Sequence, residues 1–167
     1  MTKAKIKEFV KFLREQVKNN SIYVWGGQGE KTKDLTIGKV LAMENSSVNA
    51  RRVLNHIANL IEKKYDISNS RCFDCSGLGV YWLLKNKLIS SDTTADGLYR
   101  MCKTKGINEI ETGDFVFSIT NGRATHVGYV VDGENKKIVE AFGRDVGVVE
   151  VTLGQNSSKF TVAGVFK

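Results

Sequence analysis

The apolar residues of this chain change period at Gly113, and that switch limits the possible folds more than any other feature. Beyond it, residues 114–119, 125–132, 137–142, 147–152 and 160–166 read as short strands, with Asp132-Gly-Glu-Asn135 as a hairpin turn. Before it the spacing is helical. Ile6, Phe9, Val10, Leu13 and Val17 form a stripe over residues 3–19, and Val53, Ile57, Leu60 and Ile61 form another over 49–65. A third helix runs from about Cys75 to Lys87, burying Leu78, Tyr81 and Leu84. A shorter segment at 94–104 ends at Lys105-Gly106 as if at a C-cap. Ile22–Trp25 reads as extended, and the polar stretch from there to about Ser47 as irregular. Helices first and an antiparallel sheet of about five strands afterwards define an α+β fold.

The chain of 167 residues suits one domain with a proper core. No apolar run approaches the ~18 residues that span a membrane. The N-terminal Met-Thr-Lys-Ala-Lys-Ile-Lys-Glu lacks an apolar h-region, so the expectation is a protein without a signal peptide, cytoplasmic until lysis or another non-classical release. The net charge is +7, and all of the excess lies early: residues 1–64 hold 13 Lys and Arg against 6 Asp and Glu, and residues 65–167 hold 12 of each. A basic half suits a polyanionic partner, such as nucleic acid, an anionic membrane or a teichoic-acid-bearing wall; a solvated lysine face is the plainer alternative. Few aromatic and basic residues interleave, which argues against a nucleic-acid-binding module.

Cys75 is the residue that points to chemistry. It opens a helix, where the dipole and free N–H groups stabilise a thiolate, with Asp74 as N-cap and Ser76-Gly77 beside the sulfur. The same N–H groups face any oxyanion that forms there. A small buried hydrophobe is the competing reading for an isolated cysteine. His126 opens a strand, a rigid base for such a nucleophile. If Val127, Tyr129 and Val131 share one face, His126 lies on the other with Gly128, whose missing side chain leaves room for a second element. Glu140 sits on the strand across the hairpin, where a carboxylate can fix the imidazole tautomer. His56, mid-helix, reads as structural, and Cys102 as core.

Two other patterns are weaker. Cys72 and Cys75 form C-x-x-C, but without a βαβ context or a second cysteine pair neither a redox nor a zinc site follows. The glycines in Gly26-Gly-Gln-Gly-Glu-Lys31 do not make a phosphate loop, because Gly does not precede Lys directly. They read instead as a tight, open loop beside a cleft, flanked by Tyr23 and Trp25.

Taken in order, Tyr23-Val-Trp-Gly-Gly27, Phe73-Asp-Cys-Ser-Gly-Leu78, Gly113-Asp-Phe-Val-Phe117, His126-Val-Gly-Tyr129 and Ile138-Val-Glu-Ala-Phe-Gly-Arg-Asp145 resemble the NlpC family of papain-like peptidoglycan cysteine peptidases, especially its phage lysins. The resemblance implies a single papain-like catalytic domain over 1–167, with a basic helical insertion at about 30–70. It implies Cys75 as nucleophile, His126 as base and acid, Glu140 as the residue orienting the imidazole, and Tyr23 as a donor to the oxyanion. Trp25, Asp74 and Ser76 would shape the substrate subsite, and no metal or cofactor would be needed. The implied substrate is the peptidoglycan stem peptide, commonly cut after γ-D-glutamyl, with anionic wall polymers as a further partner of the basic half. An N-acetylmuramoyl-L-alanine amidase or an acyltransferase on the same scaffold are the neighbouring alternatives. This chain departs from the family where Glu140 stands in place of a frequent histidine, and where fifty residues separate Trp25 from Cys75.

Overall fold

A computed structural model describes residues 1–167. Helix α1 (Lys3–Lys18) is followed by β1 (Ile22–Tyr23), β2 (Gln28–Lys31), α2 (Ile37–Glu44), α3 (Ser47–Glu62), β3 (Arg71–Phe73), α4 (Cys75–Lys85) and α5 (Ala95–Met101). Strands β4 (Cys102–Gly106), β5 (Phe115–Thr120), β6 (Arg123–Asp132), β7 (Lys137–Gly143), β8 (Gly147–Thr152) and β9 (Val162–Phe166) complete the chain. Each helix starts at a Ser, Thr or Asp whose side chain accepts a backbone N–H in the first turn: Thr2, Thr36, Ser46, Asp74 and Thr94. Such caps contribute about 0.5–2 kcal/mol each. No helix is long and apolar enough to cross a membrane.

The α+β class expected from the sequence is observed, with three differences. The large antiparallel sheet has six strands in the order β4-β9-β5-β6-β7-β8, not about five. The added strand is β4, which occupies the residues expected to finish a helix and pairs Lys103 with Val165 at the sheet edge. The stretch expected to be irregular holds β2 and α2, and β2 joins a small sheet ordered β1-β3-β2. Helix α2 has its own logic: Thr36 caps it, Val40 and Glu44 are buried one turn apart, and Asn45 ends it in the left-handed region at φ 47°. It is short, and its inward face is only Val40 and Glu44, while Ile37 and Leu41 stay exposed.

The main core lies between the large sheet and helices α1 and α4. It joins Phe9 and Leu13 of α1, Leu78, Trp82 and Leu83 of α4, and Phe115, Phe117, Val127 and Tyr129 of the sheet. Phe9 packs 4.8 Å from Trp82 and 5.5 Å, edge-on, from Tyr129, ring centroid to ring centroid. Contacts of this kind add about 0.5–1.5 kcal/mol each beyond area burial. They fix α4, and so its first residue, against β6. A separate cluster of Ile22, Val24, Val40, Ala50, Val53 and Cys72 seats α2 and α3 on the small sheet.

Candidate active site

The site forms where the start of α4 meets β1 and the middle of the large sheet. Asp74 organises the helix start. Its Oδ1 accepts from Gly77 N–H at 2.7 Å and from the Ser76 hydroxyl at 3.0 Å, and its Oδ2 accepts from Gly26 N–H at 3.1 Å. Burial pushes the Asp74 carboxyl up, and these hydrogen bonds oppose that shift. The glycine pair is required by close approach. A side chain on Gly27 would strike the Phe73 backbone, and one on Gly77 would overlap the Gly27 carbonyl. That carbonyl accepts from Asp74 N–H at 3.1 Å. The open loop expected beside a cleft is therefore pressed directly against the start of α4.

Behind Cys75 stands Tyr129, fully buried on β6. Its hydroxyl is 2.9 Å from the Cys75 carbonyl and accepts from Gly79 N–H at 3.1 Å. The brace fits only because Gly79 has no side chain, since a Cβ there would sit 2.5 Å from the phenol oxygen.

His126 owes its direction to a β-bulge. Ser118 pairs with His126 while Ile119 pairs with Ala124, leaving Thr125 as an extra residue. Ala124 and Val127 consequently both face the main core although three residues apart. Bulges next to sites re-aim side chains in this way. The imidazole stacks on Phe160 at 5.6 Å and 21°, and the bare Gly128 admits that ring, as its Cβ would come within 2.9 Å of it. This is the second element that the glycine was expected to accommodate.

On β7, Val139 pairs with Tyr129, so Glu140 lies one step toward His126 on the neighbouring strand. Its carboxylate has no exposure and receives the His126 Nε2 at 2.7 Å. Ser158 donates to it twice, from N–H to Oε1 at 2.9 Å and from Oγ to Oε2 at 2.5 Å. Burial opposes charge on the imidazole, but hydrogen bonds with Cys75 and Glu140, and their negative charge, outweigh it and push His126 up to about 9. An imidazolium is thus favoured beside the sulfur at neutral pH.

Tyr23 pairs in register with Phe73, two residues before Cys75. Its phenol is held well above the ordinary range by burial, with further opposition from charge on Cys75 and Asp74, so it stays a hydroxyl donor. Trp25, in the turn after β1, is 59% exposed and offers its indole to solvent. Of the seven residues expected at the site, Tyr23, Cys75, Ser76, His126 and Glu140 lie on the elements that converge here, Asp74 caps α4, and Trp25 lies in the turn after β1.

The other cysteines and histidine lie elsewhere. Cys72 is buried under α2 and α3, donates to Glu30 at 3.3 Å, and is pushed far up by burial. Cys102 belongs to the main core and is pushed up to about 12, again by burial. All three thiols are free. His56, on α3, faces Gly147. A concavity of about 890 Å³ is lined by Leu84, Leu88, Met101 and Phe166 at the far end of α4, with no cysteine, histidine, Asp or Glu. Sequence reasoning missed Ser158, in a segment without periodicity. It also missed Glu44 and gave no role to Arg144, which pair at 2.7 Å beside Tyr23. The i, i+3, i+4, i+7 spacing of Ile37, Val40, Leu41 and Glu44 after Thr36 was the available sign of α2.

A cysteine at the start of a helix packed on an antiparallel sheet, with a strand histidine and a buried carboxylate behind it, is the papain-like layout. The chain belongs to the NlpC/P60 family, whose sequence model matches residues 62–164. Among solved structures it is similar to the P60 domain of antigen MAP1204 from M. avium subspecies paratuberculosis, with TM-score 0.61, 17% identity, and 98% of this chain and 96% of that one covered. The NlpC/p60 domain of the peptidoglycan hydrolase SagA superposes with TM-score 0.57 at 17% identity, covering 95% and 97%. The peptidoglycan hydrolase RipB from Mycobacterium tuberculosis gives 0.58 at 18% identity, covering 100% of this chain and 69% of that one. No curated protein matches the sequence.

Proposed function

We propose that this protein is a cysteine peptidase of the bacterial cell wall that hydrolyses an amide bond in the peptidoglycan stem peptide. The observation that carries the reading is His126, set between Cys75 at the start of α4 and the fully buried Glu140. Membership of the NlpC/P60 family supports it, as do the descriptions of SagA and RipB as peptidoglycan hydrolases.

With Nε2 engaged by Glu140, Nδ1 is the nitrogen left to exchange a proton with the Cys75 sulfur. The thiolate attacks the scissile carbonyl carbon, and the carbonyl oxygen takes the charge. N–H groups at the α4 start and the Tyr23 hydroxyl receive that oxyanion. As the tetrahedral intermediate collapses, the C–N bond breaks and His126 gives its proton to the leaving amine. Water, deprotonated by the now neutral imidazole, then attacks the thioester; the acid departs and Cys75 is restored. Glu140 keeps the imidazole in the tautomer this cycle needs, and Ser158 keeps Glu140 in place.

The finer reading is an endopeptidase cutting after γ-D-glutamyl, of the phage-lysin type, reaching the wall when cells lyse. Residues 1–167 act as one catalytic unit, with the stretch at about 30–70 as an insertion beside the cleft. Exposed bases early in the chain, including Lys33, Arg51, Lys63 and Lys64, would hold anionic wall polymers. The test is turbidity loss of purified walls under reducing conditions, comparing wild type with Cys75→Ala, followed by mass spectrometry of the fragments. Clearing lost in the mutant, with a new amino terminus beyond L-alanine, is the expected result. A new L-alanine terminus would mean an amidase. Clearing that persists in Cys75→Ala would overturn the assignment.

A further inference from the structure

Outside the proposed catalytic group, one buried charge lies beside the cleft with no part in the cycle above. Glu44, on α2, has a side chain with no exposure, yet both of its oxygens are used. Oε1 accepts from Trp25 N–H at 2.9 Å, and Oε2 accepts from Arg144 Nε at 2.7 Å. Arg144, on the turn between β7 and β8, lays its guanidinium carbon 5.3 Å from the centre of the Tyr23 ring. The next residue, Asp145, pairs with Arg52 of α3. Two segments distant in sequence thus grip residues 23–25, α2 by the backbone and the β7–β8 turn by the ring face, and α3 steadies that turn.

A buried ion pair is a poor way to add stability, because desolvating both charges offsets most of their attraction and apolar residues of similar volume do as well. What the charges add is direction. The carboxylate must point one oxygen at a particular N–H, and the flat guanidinium must lie parallel enough to a ring to attract it. We propose that Glu44 and Arg144 are positioning residues that hold the Tyr23 hydroxyl over Cys75 and the Trp25 indole at the cleft edge. This rests on the reading of Cys75 as nucleophile. Helices α2 and α3 then serve the site: they supply the anchor that fixes one wall of it.

The test uses Arg144→Gln, Arg144→Lys and Glu44→Gln in the full chain. A misplaced oxyanion donor lowers kcat by roughly 10- to 100-fold. Arg144→Lys, which keeps the charge but loses the flat stack, should recover part of that loss. Alkylation of Cys75 by iodoacetamide needs a thiolate but forms no oxyanion, so its rate should stay within about twofold of wild type. Trp25 supplies a readout independent of turnover. In a Trp82→Phe background it is the sole indole, and its fluorescence anisotropy should fall when either charge is removed. Iodide quenching in the native background reports the same residue, because Trp82 is buried and Trp25 is exposed. Parallel losses of kcat, alkylation rate and melting temperature would reduce the pair to a structural role and overturn the proposal. Unchanged Trp25 anisotropy in both Glu44→Gln and Arg144→Gln would do the same. If wild type clears no wall, the catalytic reading fails, while the anisotropy still decides whether the pair holds Trp25.

Discussion

Replacing Glu140 with Gln tests the heart of the site, because the change is nearly isosteric and its electrical effect can be worked out. Glu140 accepts three hydrogen bonds, from His126 and twice from Ser158, in a position closed to water. An amide can keep the bond from Ser158 N–H. Its NH2, however, cannot accept from Nε2–H, so the imidazole must turn a lone pair toward it and carry its proton on Nδ1. That tautomer cannot take a proton from the sulfur. The imidazolium also loses its buried counter-charge. His126 stands at about 9 against an ordinary 6.5, and at about 1.36 kcal/mol per unit that lift is worth about 3.4 kcal/mol, shared between Cys75 and Glu140. Half of it, about 1.7 kcal/mol, sets a loss in kcat/KM of at least roughly 20-fold, to which the wrong tautomer adds, and a fall of at least about one unit in the alkaline limb of its pH profile. Initial rates of wall clearing across the range from about pH 5 to pH 10 measure the profile, and the pH dependence of Cys75 alkylation checks it without substrate. An alkaline limb still near 9 in Glu140→Gln, with turnover within about twofold of wild type, would refute the argument that this carboxylate sustains the imidazolium.

The same shift acts on stability. The folded-state value of His126 lies above the unfolded one, so its contribution is complete below about pH 6.5 and is lost as pH rises through about 9. Urea unfolding should show wild type losing up to about 3 kcal/mol across that window, and Glu140→Gln a flatter dependence. Gly79→Ala should destabilise by about 1–3 kcal/mol in the same assay, although alanine is the better helix former, because its methyl meets the fixed Tyr129 hydroxyl. A stabilised Gly79→Ala variant would mean that the Tyr129 brace yields.

The parts of this fold that were legible in sequence are those whose signal is local. Strands β5 to β9 read as short apolar runs, because the central ones bury one face against the helices and the other against the smaller cluster under Phe160. Cys75, His126 and Glu140 were legible for the same reason: each sits at a marked place, a capped helix start, the head of the apolar run of a strand or the far arm of a hairpin. Strand β4 was not. It is an edge strand rich in Lys and Thr, held by backbone pairing to β9 alone, and a polar edge carries no apolar rhythm. Ser158 and the Glu44–Arg144 pair were hidden more deeply. Their partners lie 18 and 100 residues away, and only the closed fold brings them together.

Cys72 and Cys75 are three positions apart, yet β3 ends between them, so one sulfur is sealed beneath α2 and α3 and the other lies at the mouth of the site. With Cys102 also interior, the native protein presents one accessible thiol out of three. Stoichiometric uptake of a thiol reagent by the folded protein therefore counts competent molecules directly. The remaining two equivalents, released only in denaturant, give the total, so any preparation carries its own internal standard for the fraction that is active.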